Sequence, residues 1–164
     1  MEDHYSELII PRKPRPADAV KKVLLIIATL IAAFFGLMVS PIFLIAFIIL
    51  GFLDYFLFPR FNVEYEYAYV NGEIDVAAIF SKASRKHLDT ITLENVECIA
   101  PVSSHHLDSY GVTYKVVDYT SGEADHKVYA IIKSGNDSKK YLLELDEAML
   151  EDLRWRLPGK VFRD

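Results

Sequence analysis

His105, His106 and Asp108 form the densest group of potential metal ligands in the chain, with His87, His126 and Cys98 elsewhere. Zinc needs three or four donors converging tetrahedrally, and a helix supplies two most simply from positions i and i+4. Adjacent histidines on the polar run VSSHHLDSYG (102–111) provide no such geometry, so a solvated loop is expected there and no metal site. Cys98 alternates in phase with Val96 and Ala100, as a small buried hydrophobe does; a nucleophilic thiolate would need a neighbouring base. A lone cysteine also rules out an intramolecular disulfide. The sequence patterns of nucleophile elbows, phosphate-binding glycine loops and HExxH zinc helices do not occur. No catalytic and no cofactor-binding residue is assigned, and a non-enzymatic protein is expected.

One basic cluster, SKASRKH (81–87), interrupts the second half of the chain. Lys82, Arg85 and Lys86 suit either a charged turn that keeps a sheet edge soluble or a contact with anionic lipid headgroups. Residues 60–164 carry 13 Lys/Arg against 18 Asp/Glu, which leaves no electrostatic footprint for nucleic acid. Residues 11–22 are the opposite, with Arg12, Lys13, Arg15, Lys21 and Lys22 against Asp18 alone.

The elements that must carry these groups begin with an apolar stretch. Val23–Val39 and Ile42–Phe58 are each 17 residues long and contain one carboxylate between them, Asp54. As helices each spans roughly 25 Å, against a ~30 Å hydrocarbon core. Ser40-Pro41 divides them, because proline cannot continue a helix but suits the first turn of the next, with Ser40 as N-cap. A transmembrane hairpin is therefore expected, behind a basic N-terminal segment (1–22) that retains both termini in the cytoplasm. A shallow re-entrant hairpin is the alternative, since the turn has no charge to hold it in water. Ala28, Ala32, Gly36 and Ser40 recur every four residues and would let another helix approach closely. Asp54, beside Tyr55, is placed at the interface.

From Phe61 the apolar period changes to two. Val63, Tyr65, Tyr67 and Tyr69 define a strand, Asn71-Gly72 a tight hairpin turn, and Ile74, Val76, Ala78 and Phe80 the return strand. Further strands are predicted at 85–91, 93–100, 112–119, 127–133 and 139–145, making seven in an antiparallel sandwich or barrel. Asp146 then caps a helix running to Pro158-Gly159, with Met149, Leu150, Leu153 and Leu157 on its core face and Trp155 opposite.

Seven strands followed by one C-terminal helix resembles the pleckstrin-homology-like fold, in which two near-orthogonal sheets form an open barrel plugged by the helix. The runs NVEYEYAYVNGEIDV (62–76), KASRKHLDTI (82–91), IAP (99–101) and LPGKVF (157–162) are similar to an uncharacterised family of small two-helix membrane proteins from clostridial-type bacteria, a domain of unknown function. The resemblance implies an α+β membrane protein: a transmembrane hairpin (23–39, 42–58) followed by a PH-like domain (60–164). It implies no catalytic residue. Headgroup-binding members of the fold clamp phosphoinositides with basic residues in the first hairpin loop. With Asn71-Gly72 read as that loop, its flanks present Glu64, Glu66, Glu73 and Asp75, so phosphoinositide recognition is not expected. The partners expected are the bilayer and either an unidentified protein or a second copy through the helices.

Overall fold

Tyr5–Pro11 is a strand, β1, ahead of both apolar helices. Its residues alternate: Ser6, Leu8 and Ile10 stand opposite Tyr69, Tyr67 and Tyr65 of a second strand, β2 (Val63–Val70), in an antiparallel ladder. Between them come α1 (Pro16–Met38), α2 (Ile42–Leu57) and a 3₁₀ turn at Phe58–Phe61. Then follow β3 (Glu73–Phe80), β4 (Ser84–Ile91), β5 (Val96–Pro101), β6 (Lys115–Asp118), β7 (Tyr129–Lys133), β8 (Lys139–Leu143) and α3 (Glu147–Arg156). This computed structural model describes residues 5–110, 114–135 and 138–163. Asn136 and Asp137, turn-forming residue types between the strands predicted at 127–133 and 139–145, and the start of the predicted 112–119 strand lie outside them.

The chain forms two units. One takes Met1–Arg12, Glu64–Ile79 and Arg85–Asp164; the other takes Lys13–Val63 and Phe80–Ser84. In the first, β1-β2-β3-β4 make one four-stranded sheet and β5-β7-β8-β6 the other. Among the described residues eight strands therefore replace the expected seven, the extra one being β1. The sheets are also not wholly antiparallel, because β6 pairs parallel to β8 from Lys115↔Lys139 to Asp118↔Leu142. The segment between Asp118 and Tyr129 is too long for a tight hairpin, which frees β6 to pair beyond β7. At the turn of β2 and β3, Asn71 (φ 50°) and Gly72 (φ 95°) adopt the left-handed conformations a two-residue turn demands.

The core is built from the inward faces of both sheets. Tyr67, Tyr69, Ile74, Val76, Ile99, Ile131 and Leu143 are all buried there. A buried tyrosine must place its hydroxyl on a partner. Tyr67 donates to the carbonyl of Tyr119 at 2.6 Å, and Tyr69 to the carboxylate of Asp152 on α3. Asp146 caps α3, accepting from the Met149 amide at 2.7 Å, while its other oxygen accepts from Ser6 of β1 at 3.0 Å. Met149, Leu150 and Leu153 face the core and Leu157 is half-buried. Gly159, at φ 80°, turns the chain back so that the Ile99 amide donates to Lys160 O and the Phe162 amide to Ile99 O, both at 2.8 Å. That cover protects the outer edge of β5.

In the second unit α1 and α2 pack side by side through a turn at Ser40-Pro41. α1 starts at Pro16, seven residues before the apolar run, and at 23 residues is about 34 Å long. Ser40 does not cap α2 with its side chain. Its carbonyl instead accepts from the Phe43 amide at 3.1 Å and Pro41 O accepts from Leu44 N at 3.0 Å, so the backbone alone starts the helix. Most large side chains of both helices face outward: Leu30 is 63% exposed, Phe34 60%, Ile49 61% and Phe52 66%.

Two outcomes test this packing. Leu153→Ala removes a side chain with no exposed surface and should destabilise the full chain by about 2–5 kcal/mol in urea denaturation; an unchanged midpoint would show α3 undocked. Burial pushes Tyr67 and Tyr69 above the ordinary phenol range, and burial together with Asp89 pushes Tyr119 up to about 12. A raised folded-state value stabilises the fold fully below the unfolded value near 10, and that contribution is lost as pH climbs through the folded value. Thermal stability should thus fall between about pH 10 and 12, and Tyr67→Phe with Tyr69→Phe should flatten the decline.

Candidate functional site

Where α1 and α2 begin and end, helical spacing sorts the side chains. Lys21, Leu24 and Leu25 lie one turn apart on α1, as do Leu57, Arg60 and Phe61 at the end of α2. These six residues line a cleft of about 550 Å³. Lys22 is not among the lining residues: its ammonium donates to Asn62 Oδ1 at 3.3 Å and lies 5.6 Å from the centre of the Phe61 ring. The Asn62 carbonyl accepts from the Ser81 amide at 2.9 Å, and Ser81 Oγ donates to Pro59 O at 3.1 Å. The turn at 80–84 is thereby seated on the end of α2, and Lys82 comes with it.

The remaining residues of the basic cluster go to the other unit. Arg85, on β4, pairs with the buried carboxylate of Glu66 at 2.7 Å, while Lys86 is exposed on the same strand. The cluster read as one patch in the sequence is therefore divided between the units, and one of its charges has a carboxylate partner.

Along α1, Ala32 and Gly36 are buried, and Ala28 and Ser40 are partly buried. A β-carbon at Gly36 would lie 2.6 Å from Leu44 Cδ2 and 3.1 Å from the Leu44 amide nitrogen, so α2 occupies the space that glycine leaves. Asp54 reaches across to α1. Its Oδ2 lies 2.7 Å from Thr29 Oγ1 across the two helices, and its Oδ1 is buried. Thr29, flanked by Ala28 and Leu30, carries no sequence signal for that bond beyond being the one hydroxyl within the first apolar run.

The remaining chemical candidates fall apart in space. The His105 and His106 rings lie tilted with centres 4.1 Å apart, and His106 stacks on the Phe162 ring at 3.6 Å. Among the described residues no three of His, Cys, Asp and Glu converge in a metal-binding group. Cys98 is buried with Ala100, Leu107, Ala130 and Ile132. Trp155 is 79% exposed.

A cluster missed in the sequence lies at the loop before β7. The buried Glu144 carboxylate accepts from the Ser121 amide and hydroxyl, both at 2.6 Å, and lies 2.7 Å from His126 Nδ1. Serine, histidine and acid are adjacent, but the hydroxyl donates to the acid and is 3.4 Å from the imidazole. This arrangement binds a loop to β8 and does not activate a nucleophile, which needs the imidazole as its acceptor. Glu144→Ala would leave the buried Ser121 donors unpaired, at a cost of about 1–3 kcal/mol. Urea denaturation should show the loss together with faster exchange of the Ser121 amide; an unchanged midpoint would contradict the clamp.

Two four-stranded sheets closed by a C-terminal helix capped at Asp146 define a pleckstrin-homology-like domain. The chain belongs to the family described as Bacterial PH-like domain (DUF6106), whose match covers residues 2–163 and so includes β1 and both apolar helices. No curated protein and no solved structure matches it. The order of strands corrects one reading. Asn71-Gly72 is the second strand-to-strand connection, whereas the first, between β1 and β2, is the whole helical hairpin.

Proposed function

We propose that the chain is a membrane-anchored, non-enzymatic interaction module. Its two apolar helices would cross the bilayer and hold a PH-like domain at the cytoplasmic face. The observation that carries this reading is the pairing of Tyr5–Pro11 with β2 across the helices. Strands of one sheet must lie on one side of a membrane, so the hairpin between them returns to the side it left. The excess of Lys and Arg before α1 favours the cytoplasm as that side, and the outward-facing Leu, Ile and Phe of both helices supply the lipid contact. Lys82 and Lys86 would orient the domain against anionic headgroups, with Arg85 contributing less because Glu66 offsets it.

Phosphoinositide recognition is not part of this reading. The connection that supplies the basic clamp in headgroup-binding members of the fold is here an apolar hairpin. At the next turn, the space beside Gly72 is filled by Leu93 and the Arg156 stem. A second reading, an accessory subunit whose helices pack into a larger complex, is favoured by the exposed Phe34, Ile49 and Phe52, since Leu44 of α2 already fills the space at Gly36. Partners lost on Ile49→Ala with Phe52→Ala would support it, and partners kept would support the module.

Cysteine-accessibility labelling tests the anchor, since Cys98 is 2% exposed and contributes little background. Ser138→Cys should react with an impermeant reagent only after the membrane is opened, and Ser40→Cys should not react from the cytoplasmic side. Labelling of position 138 from outside would overturn the proposed topology.

A further inference from the structure

The cleft between the ends of α1 and α2 has the chemistry of a binding site. Its lining combines the apolar Leu24, Leu25, Leu57 and Phe61 with two cations, Lys21 and Arg60. Among the described residues no acid lines it and neither cation has a carboxylate partner. Lys22, the third cation of this region, is already engaged by Asn62 and Phe61. Two cations are therefore held over an apolar slot of about 550 Å³, within the size range of pockets that take small molecules.

Position along the helices says what could fill it. Lys21 stands two residues before the apolar run of α1 and Arg60 two residues after that of α2. Both therefore mark one polar–apolar boundary. Resting on the reading that the helices cross a bilayer, this is the level of lipid phosphates on one leaflet. A free anion would satisfy the cations and leave the apolar walls against water. A neutral hydrocarbon would fill the walls and leave two cations unpaired. A molecule with a phosphodiester joined to an acyl chain satisfies both.

We propose that this cleft binds one anionic phospholipid of the phosphatidylglycerol type. Its phosphate lies between Lys21 and Arg60, and one acyl chain lies along Leu24, Leu25 and Leu57. A zwitterionic lipid brings its own cation to a mouth that holds two and no acid, which sets the preference for net negative charge. This site differs from the surface contact of Lys82 and Lys86, because it takes a single lipid into a cavity.

Native mass spectrometry of the full chain from mixed micelles tests the proposal. With phosphatidylglycerol and phosphatidylcholine at equal concentration, the protein should retain one phosphatidylglycerol. Lys21→Gln with Arg60→Gln should weaken retention about thirtyfold, the attraction of two cations near an anionic surface. Leu25→Trp, which fills the slot and keeps both charges, should also release the lipid. Lys115→Gln with Lys127→Gln should change nothing. Equal retention of both lipids, or retention by the Lys21/Arg60 variant as in the parent chain, would overturn the site. Full displacement by millimolar inorganic phosphate would also overturn it, in favour of a free-anion site. Alkaline carbonate washing of membranes separates the two readings. Protein released by the wash refutes the membrane anchor itself, and protein that stays without lipid preference refutes only this cleft.

Discussion

The ladder between Tyr5–Pro11 and β2 is the constraint on which the rest depends. It closes a loop of about fifty residues, and the entropy of closing it grows only slowly with length. Ser6, Leu8 and Ile10, set against three tyrosines, thus hold an insertion as long as two helices. Residues flanking the insertion pair directly, Pro11 with Glu64, so its two ends are pinned to neighbouring backbone positions. The same strand gives Ser6 to Asp146, which ties the cap of α3 to the first residues of the chain.

Within the sheet unit, stability depends on polar groups being buried in pairs. Asp152 is buried yet takes both the Tyr69 hydroxyl and the Arg156 guanidinium, the latter at 2.6 Å. Glu144 is buried and takes the Ser121 donors and His126. Breaking one partner of such a group leaves the other desolvated, which costs more than the bond contributes when intact. The pairs therefore fix which way α3 and the loop before β7 lie, where apolar packing alone would accept several arrangements.

Much of this was legible in the residues. Alternating Val63, Tyr65, Tyr67 and Tyr69, the Asn71-Gly72 turn, and Asp146 ahead of Met149, Leu150 and Leu153 each carry a local signal strong enough to place an element. Others were masked by a louder neighbour. Leu8 and Ile10 alternate as a strand should, but three prolines and five basic residues between 11 and 22 make the N-terminal region read as a charged leader. The parallel partner of β6 cannot be read locally, since pairing beyond β7 depends on the fold of a loop. The Lys21–Arg60 cleft joins residues far apart in sequence, and each alone reads as an ordinary flanking charge. Glu144 sits one residue after β8, among apolar neighbours, with nothing nearby to announce His126 as its partner.

The position of β1 has a consequence for biosynthesis. A ribosome delivers this strand first and its partner β2 only after both apolar helices have left the exit tunnel, an interval of about 3–10 s at ordinary elongation rates. During that interval Leu8 and Ile10 have no sheet to join, and the helices meet their surroundings before any part of the domain can close. β1 is thus the strand of its sheet that waits longest for a partner.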